Sequence, residues 1–334
     1  MHNTMKRTIG LLIAGALAPI CAAQTPAVNQ ADTARQQRET LRLLDDVVPG
    51  KTMPSLYSDE ESDIGPQSVL RKLRHRWFRG SYDGQVFYTD NVLYRDADKR
   101  DGGVIVNTVE AALTTPPLIT GLASYRAEAG YRHQFFNYFG PEGIDNLDFN
   151  GSTVFADILA QTKHYQFRVG ADYTRLLGYE PRVVDDWEEF YSEFVPRWSV
   201  QRNLRVCDRS MLSFGYLGSY HFSDEDAVPL SLFPPVSGFE DRNERWEHAA
   251  VAAYSVALPH DFVVQPYYRF QFTDFVVREK SEFLHTAGLS VGWFPCEYFS
   301  ARLFANYNWN DSDLRARDYE QFNGGGGVNL TFRF

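Results

Sequence analysis

The chain has 334 residues and a formal net charge of −10, from 33 Lys and Arg against 43 Asp and Glu. That balance excludes a nucleic-acid role built on a basic face, and three cysteines in all exclude a disulfide scaffold. Aromatic residues make up 15% of the chain, with 25 Phe and 19 Tyr, while the mean hydropathy is only −0.37.

At the N-terminus, Met1–Ala23 places Lys6 and Arg7 ahead of an apolar run from Ile9 to Ile20 and ends in small residues before Gln24. This is the layout of a cleaved secretory signal peptide. The run is shorter than the ~20 apolar residues of a spanning helix. Residues 24–79 form a periplasmic extension in this reading. Within it, Ala31–Val48 is rich in helix formers and stops at Pro49-Gly50. Gln67–Trp77 is a second, strongly basic helical stretch. It reads either as a solvated lead-in to the first strand or as a plug or partner-docking arm.

From about Gly80 the apolar period changes to two, the side-chain period of a β-strand. Tyr165, Phe167, Val169, Ala171 and Tyr173 share one face, against Gln166, Arg168, Gly170 and Asp172 on the other. The same alternation runs through 123–135, 262–272 and 299–309. Strands are expected near 80–94, 103–113, 121–139, 147–160, 164–177, 188–200, 208–223, 245–258, 261–275, 282–294, 298–310 and 321–334. They exceed the ~5–6 residues usual in globular sheets. Long connections (95–102, 140–146, 178–187, 224–244, 276–281, 311–320) alternate with short ones (161–163, 259–260, 295–297). One inner connection, 201–207, stands out as long. Trp198, Tyr220, Trp246, Trp293 and Trp309 fall at expected strand ends, the spacing of interfacial girdles around an apolar band.

The last strand, Gly327-Val-Asn-Leu-Thr-Phe-Arg-Phe334, puts Val328, Leu330, Phe332 and Phe334 on one face. It resembles the C-terminal assembly signal of Gram-negative outer-membrane proteins, which the barrel-assembly machinery recognises. The resemblance covers residues 80–334 and is architectural. It implies an all-β membrane protein: a closed antiparallel transmembrane barrel of about twelve strands, set in outer-membrane lipid after export. Gly324–Gly327 lacks the Lys-Ser/Thr of a phosphate-binding loop and reads as a place of close approach or a bulge.

The inward faces are where a function would lie. Arg126, Glu128 and Arg132 share a strand; Arg168 and Asp172 follow two strands on, with Glu193 and Arg197 beside them. Arg269 and Arg302 come from the far side. Such rows either fill a narrow lumen with ion pairs or line a selective path for small hydrophilic, anionic or sugar-like solutes. The second arrangement is similar to twelve-stranded porins for acidic oligosaccharides, whose pores carry Arg ladders, although none of their motifs is reproduced. On this count six interior Arg outweigh three acids, so anion preference is expected despite the acidic chain. Two other readings stand beside the channel: a structural or adhesive barrel that binds partners through its outer loops, and a membrane-embedded lipid hydrolase.

His221-Phe-Ser223 has the His-x-Ser spacing of outer-membrane phospholipases and lipid A deacylases. Its parity turns both side chains into the lumen, away from a lipid substrate. Asp185-Asp186 is similar to the acidic pairs of outer-membrane proteases, but lacks a His-Asp partner in another outer loop. The expectation is therefore a non-enzyme with no catalytic residues and no cofactor. No His or Cys spacing suggests a metal, and Cys207 and Cys296 are expected to be free thiols because their strands lie apart around the wall.

Deleting Phe334, or replacing it with Asp, is expected to leave the protein in the periplasm as a degraded or chaperone-bound species. Normal heat-modifiable protein in the outer membrane would refute the assembly role given to the last strand.

Overall fold

The computed structural model describes residues 76–334, except 95, 97–98, 122, 142–143, 145–146, 163, 180–186, 225–242, 278–279 and 314–317. The signal peptide, both helices assigned to the extension (apart from Arg76 and Trp77) and Asp185-Asp186 lie outside the described residues, as does most of loop 224–244. No helix among the described residues is long and apolar enough to cross a membrane, which bears only on helical spans.

The strands are β1 (Phe78–Thr89), β2 (Gly102–Thr114), β3 (Leu118–Thr120), β4 (Ala123–Phe139), β5 (Phe149–Thr162), β6 (Tyr165–Tyr179), β7 (Trp187–Cys207), β8 (Ser210–Asp224), β9 (Arg245–Leu258), β10 (Phe262–Phe275), β11 (Lys280–Cys296), β12 (Phe299–Ser312) and β13 (Tyr319–Arg333). Each pairs antiparallel with its neighbours, and β13 pairs with β1 to close the ring. β2 and β3 both pair with β4, so together they make one wall strand. The break falls at Pro116-Pro117, which have no N–H to donate to a ladder. Thr115 bridges it: its N–H donates to Ala127 O and its Oγ1 accepts from Ala127 N–H, both at 2.9 Å. The result is a closed barrel of twelve wall strands.

Alternation fixes which way each side chain faces. In β6, Phe167, Val169 and Tyr173 are exposed on the outer wall. In β4, Arg132, Gln134, Phe136 and Tyr138 are buried and face the interior. Val328, Leu330 and Phe332 lie exposed on the outer wall, while Asn329 and Thr331 between them are buried. The Phe334 N–H donates to Phe78 O at 2.9 Å, and the two rings lie 6.1 Å apart.

Glycine in the closing strand has a steric cause. A Cβ on Gly325 would sit 2.3 Å from Val86 O and 2.5 Å from Phe87 Cβ. The glycine run thus reflects close approach, with the large Phe87 of β1 folded over β13.

Two details depart from the sequence reading. β7 does not stop near residue 200 but runs through Gln201–Cys207, paired with β8 to Met211 and Ser210. The polar run is strand, and the inner turn shortens to Asp208-Arg209. Trp198 is consequently mid-strand rather than at an end, lying over Gly218, where a Cβ would be 2.4 Å from its ring. Every inner connection is then short. That between β9 and β10 turns on His260 and Asp261, both at φ 63°, the positive values that tight hairpin turns demand. Cys207 and Cys296 are free.

Replacing Val169 with Arg sets a charge on the apolar wall and is expected to cost about 2–4 kcal/mol. Gln166→Arg, on the interior face of the same strand, should cost far less. Equal losses in denaturant-unfolding measurements of the refolded barrel would overturn the face assignment.

Candidate functional site

The interior holds an apolar core on one side near the long-loop rim, with charged clusters beside and below it. Phe87, Val104, Val106, Phe136, Tyr138, Phe149, Leu176, Tyr191 and Phe304 are buried together on the inner wall. Two outer connections fold onto them: Val92 and Leu93 from the first, Ile144 and Leu147 from the second. The rings of Phe136 and Phe149 stack at 4.3 Å. Hydrogen bonds hold the first loop in place. Asn91 Nδ2 donates to Glu320 O at 3.1 Å, and Gln321 Nε2 donates to Asn91 O at 2.9 Å. Tyr94 packs edge-on against Tyr319 at 5.4 Å, and burial pushes the Tyr94 hydroxyl up to about 12. The second loop is tied by Asp148 Oδ1, which accepts from Tyr138 N–H at 2.6 Å. At the opposite rim a smaller apolar cluster joins Met211, Val263 and Phe294.

The charged interior is a set of discrete ion-pair clusters. Arg79 pairs with Glu110 at 2.7 Å and also with Glu128, while Arg132 Nε reaches Glu110 at 3.2 Å. Arg197 bridges Asp157 and Asp172 at 2.9 and 2.8 Å. Arg302 lies 3.5 Å from Asp83, and Lys280 lies 2.6 Å from Glu282. Arg269 donates to Gln271 Oε1 at 2.7 Å and is half-buried. Arg126 is exposed at the short-turn rim, and Arg168 is half-buried nearby. These two share a row of the sheet, since Arg126 and Arg168 both pair with Leu159 between them.

All nine charged residues singled out from the sequence thus lie on inward faces, but their setting differs from the expectation. Asp83, Glu110, Asp157, Glu247 and Glu282 also face inward, as do Arg79, Arg245 and Lys280, so nine inward cations stand against eight inward acids among these residues. The sequence did carry a signal for them: each keeps the inward parity of its strand. Which cation each would meet depended on the register between strands.

The densest cluster joins β7, β8 and β9. His221 Nδ1 lies 2.9 Å from Glu193 Oε2, and its Nε2 lies 3.1 Å from Ser219 Oγ and 3.6 Å from Glu247 Oε2. Arg245 Nε donates to Glu247 Oε1 at 2.6 Å, and Tyr191 Oη donates to Glu193 Oε2 at 2.7 Å. The hydroxyl beside the imidazole is that of Ser219 rather than Ser223. A nucleophilic triad needs Nδ1 reserved for its acid and Nε2 for its serine. Here Arg245 Nη2 also stands 3.0 Å from Nδ1, and a second carboxylate flanks Nε2. The geometry is that of a buried ion-pair knot tying three strands together near the base of loop 224–244.

No protein-family model and no curated protein matches the chain. Solved structures do resemble it in architecture. The β-domain of the Bordetella autotransporter BrkA aligns at 12% identity over 77% of this chain and 100% of its own, with a TM-score of 0.47. An outer-membrane channel from Pseudomonas putida F1 aligns at 9% identity over 80% of this chain and 99% of its own, with a TM-score of 0.49. The KdgM porin in complex with disordered oligogalacturonate aligns at 8% identity over 75% of this chain and 99% of its own, with a TM-score of 0.38. These likenesses are of overall shape alone. A closed ring of twelve wall strands, with an apolar aromatic exterior and a charged interior, is the architecture of a transmembrane β-barrel.

Proposed function

We propose that the barrel is a narrow, porin-like channel for small hydrophilic solutes, with a preference for anions set at its short-turn mouth. The observation that carries this reading is the pair Arg126 and Arg168. They flank Leu159 in one sheet row at the short-turn rim, Arg126 exposed and Arg168 half-buried. A carboxylate or phosphate entering there meets guanidinium groups that can bind it through two parallel hydrogen bonds. The polar part of the interior also favours water. Buried Asp157 Oδ1, Arg197 Nε, Ser213 Oγ, Gln265 Oε1 and Ser290 Oγ have no protein partner among the described residues, and buried polar atoms of this kind are ordinarily hydrated.

The apolar core under the long-loop rim favours a small conductance, because it narrows that end from one side. A non-enzymatic role fits the engagement of both His221 nitrogens by charged groups. A structural or adhesive barrel is the alternative, favoured by the same core if it closes the passage.

Reconstituted in a planar bilayer, the protein is expected to show small, anion-selective steps. Replacing Arg126 and Arg168 together with Gln should move the reversal potential in a salt gradient toward cation preference. A cation-selective wild type, or an unchanged double variant, would refute the mechanism; absence of conductance would favour the adhesive barrel.

A further inference from the structure

The outer wall is concave over one stretch of β7 to β10. Pro196 and Trp198 of β7, Tyr220 and Phe222 of β8, Trp246 of β9 and Val276 just after β10 line a cleft of about 390 Å³. The strand residues among them keep the outward parity of their strands, and Trp198, Phe222, Trp246 and Val276 are exposed.

The cleft has a cause in the sequence. Pro196 has no N–H to give to a ladder. Phe194 pairs with Phe222 and Arg197 with Ser219, and between these two pairs β7 and β8 have no register partners. Large rings then form the walls. Tyr220 packs edge-on against Phe222 at 4.5 Å and against Trp246 at 4.6 Å, and Trp198 meets Trp246 edge-on at 6.3 Å. The cleft also has a direction. Phe222 near the end of β8, Trp246 at the start of β9 and Val276 beyond β10 stand at the long-loop rim. Trp198 lies deeper, opposite Gly218. At the rim end stands Glu244, whose Oε2 accepts from Tyr220 Oη at 3.3 Å.

In a membrane the hydrophobic effect does not drive apolar groups into such a cleft, because lipid tails are as apolar as the side chains. What the cleft offers is contact. Rings that face an empty space lose their dispersion partners, and a chain that enters restores them on several sides at once. The occupant that fits is long, narrow and apolar, and it reaches the cleft along the wall from the long-loop rim. A carboxylate at the mouth attracts an ammonium and repels a head whose charge is phosphate alone. We propose that this cleft binds one acyl chain of a phospholipid with an ammonium head, phosphatidylethanolamine, whose ammonium faces Glu244. The site stands or falls separately from the channel reading, since it concerns only the outer wall.

The test is native mass spectrometry of the full barrel released from nanodiscs that hold phosphatidylethanolamine and phosphatidylglycerol in equal amounts. The wild type is expected to carry one phosphatidylethanolamine per chain. Val276→Trp, which fills the mouth, should lose it. Leu303→Trp, at an exposed position on the outer face of β12, should keep it. Glu244→Gln should retain the two lipids equally, and each variant is first checked to be a heat-modifiable barrel. A wild type that carries no lipid, carries the two equally, or holds lipid A through purification instead would overturn the proposal. So would a Val276→Trp variant that keeps its lipid. A two-chain wild-type mass that Val276→Trp reduces to one chain would also overturn it and assign the cleft to a second copy.

Discussion

Everything in this barrel depends on closing the backbone ladder, because hydrocarbon leaves an unpaired N–H or C=O without any partner. The β1–β13 seam meets that demand between residues far apart in the chain. Phe87 lies across from Gly325, with its ring in the interior core, and no larger residue fits opposite it. The seam therefore couples wall closure to interior packing: the side chain that needs the glycine also anchors the apolar core under the long-loop rim. At the other end the terminal Phe334 and the first strand residue, Phe78, exchange backbone hydrogen bonds.

With the wall settled, the interior has two unlike halves to reconcile. Toward one rim two loops complete a core of the kind found in water-soluble proteins, and burial there holds Tyr94 against Tyr319. Beside and below that core charges are buried, and a buried charge persists only when paired and hydrogen-bonded. The ion pairs meet that condition cluster by cluster, which is why the interior Arg residues do not form one continuous ladder. Arg126 and Arg168 lie at the short-turn mouth, Arg126 exposed and Arg168 half-buried. In the channel reading proposed above, selectivity belongs to an entrance rather than to the whole length of the lumen.

The strands were legible because one face of each must be apolar, and a period of two survives in a single sequence. All twelve wall strands could be placed that way, and the inward parity of Arg132, Arg168 and Arg302 followed. What failed was whatever depends on neighbours. Gln201–Cys207 looked like a loop because only Leu204 and Val206 of its seven residues are large and apolar, yet β8 pairs with it. Glu110 and Asp157 were passed over although their parity was readable; only the register placed them against Arg79, Arg132 and Arg197. The apolar core was hidden for the opposite reason. Val104 and Val106 alternate with Ile105, so β2 is apolar on both faces and has no clean period there.

That blurred period joins the two unusual features of the same sector. Along β2, β4 and β5 the interior face carries Val104, Val106, Phe136 and Phe149, while the exterior face carries Asn107, His133 and Ser152. The usual pattern of polar inside and apolar outside is partly inverted. An apolar interior face is explained by the two loops that cover it. The polar exterior groups meet one another: Tyr82 Oη donates to Asn107 Oδ1, and His133 Nδ1 lies within hydrogen-bond distance of Ser152 Oγ and Tyr131 Oη. By contrast β10 to β12 keep the usual pattern, with Leu289, Leu303 and Ala305 outermost. The inverted sector is also the one in which the loops narrow the lumen.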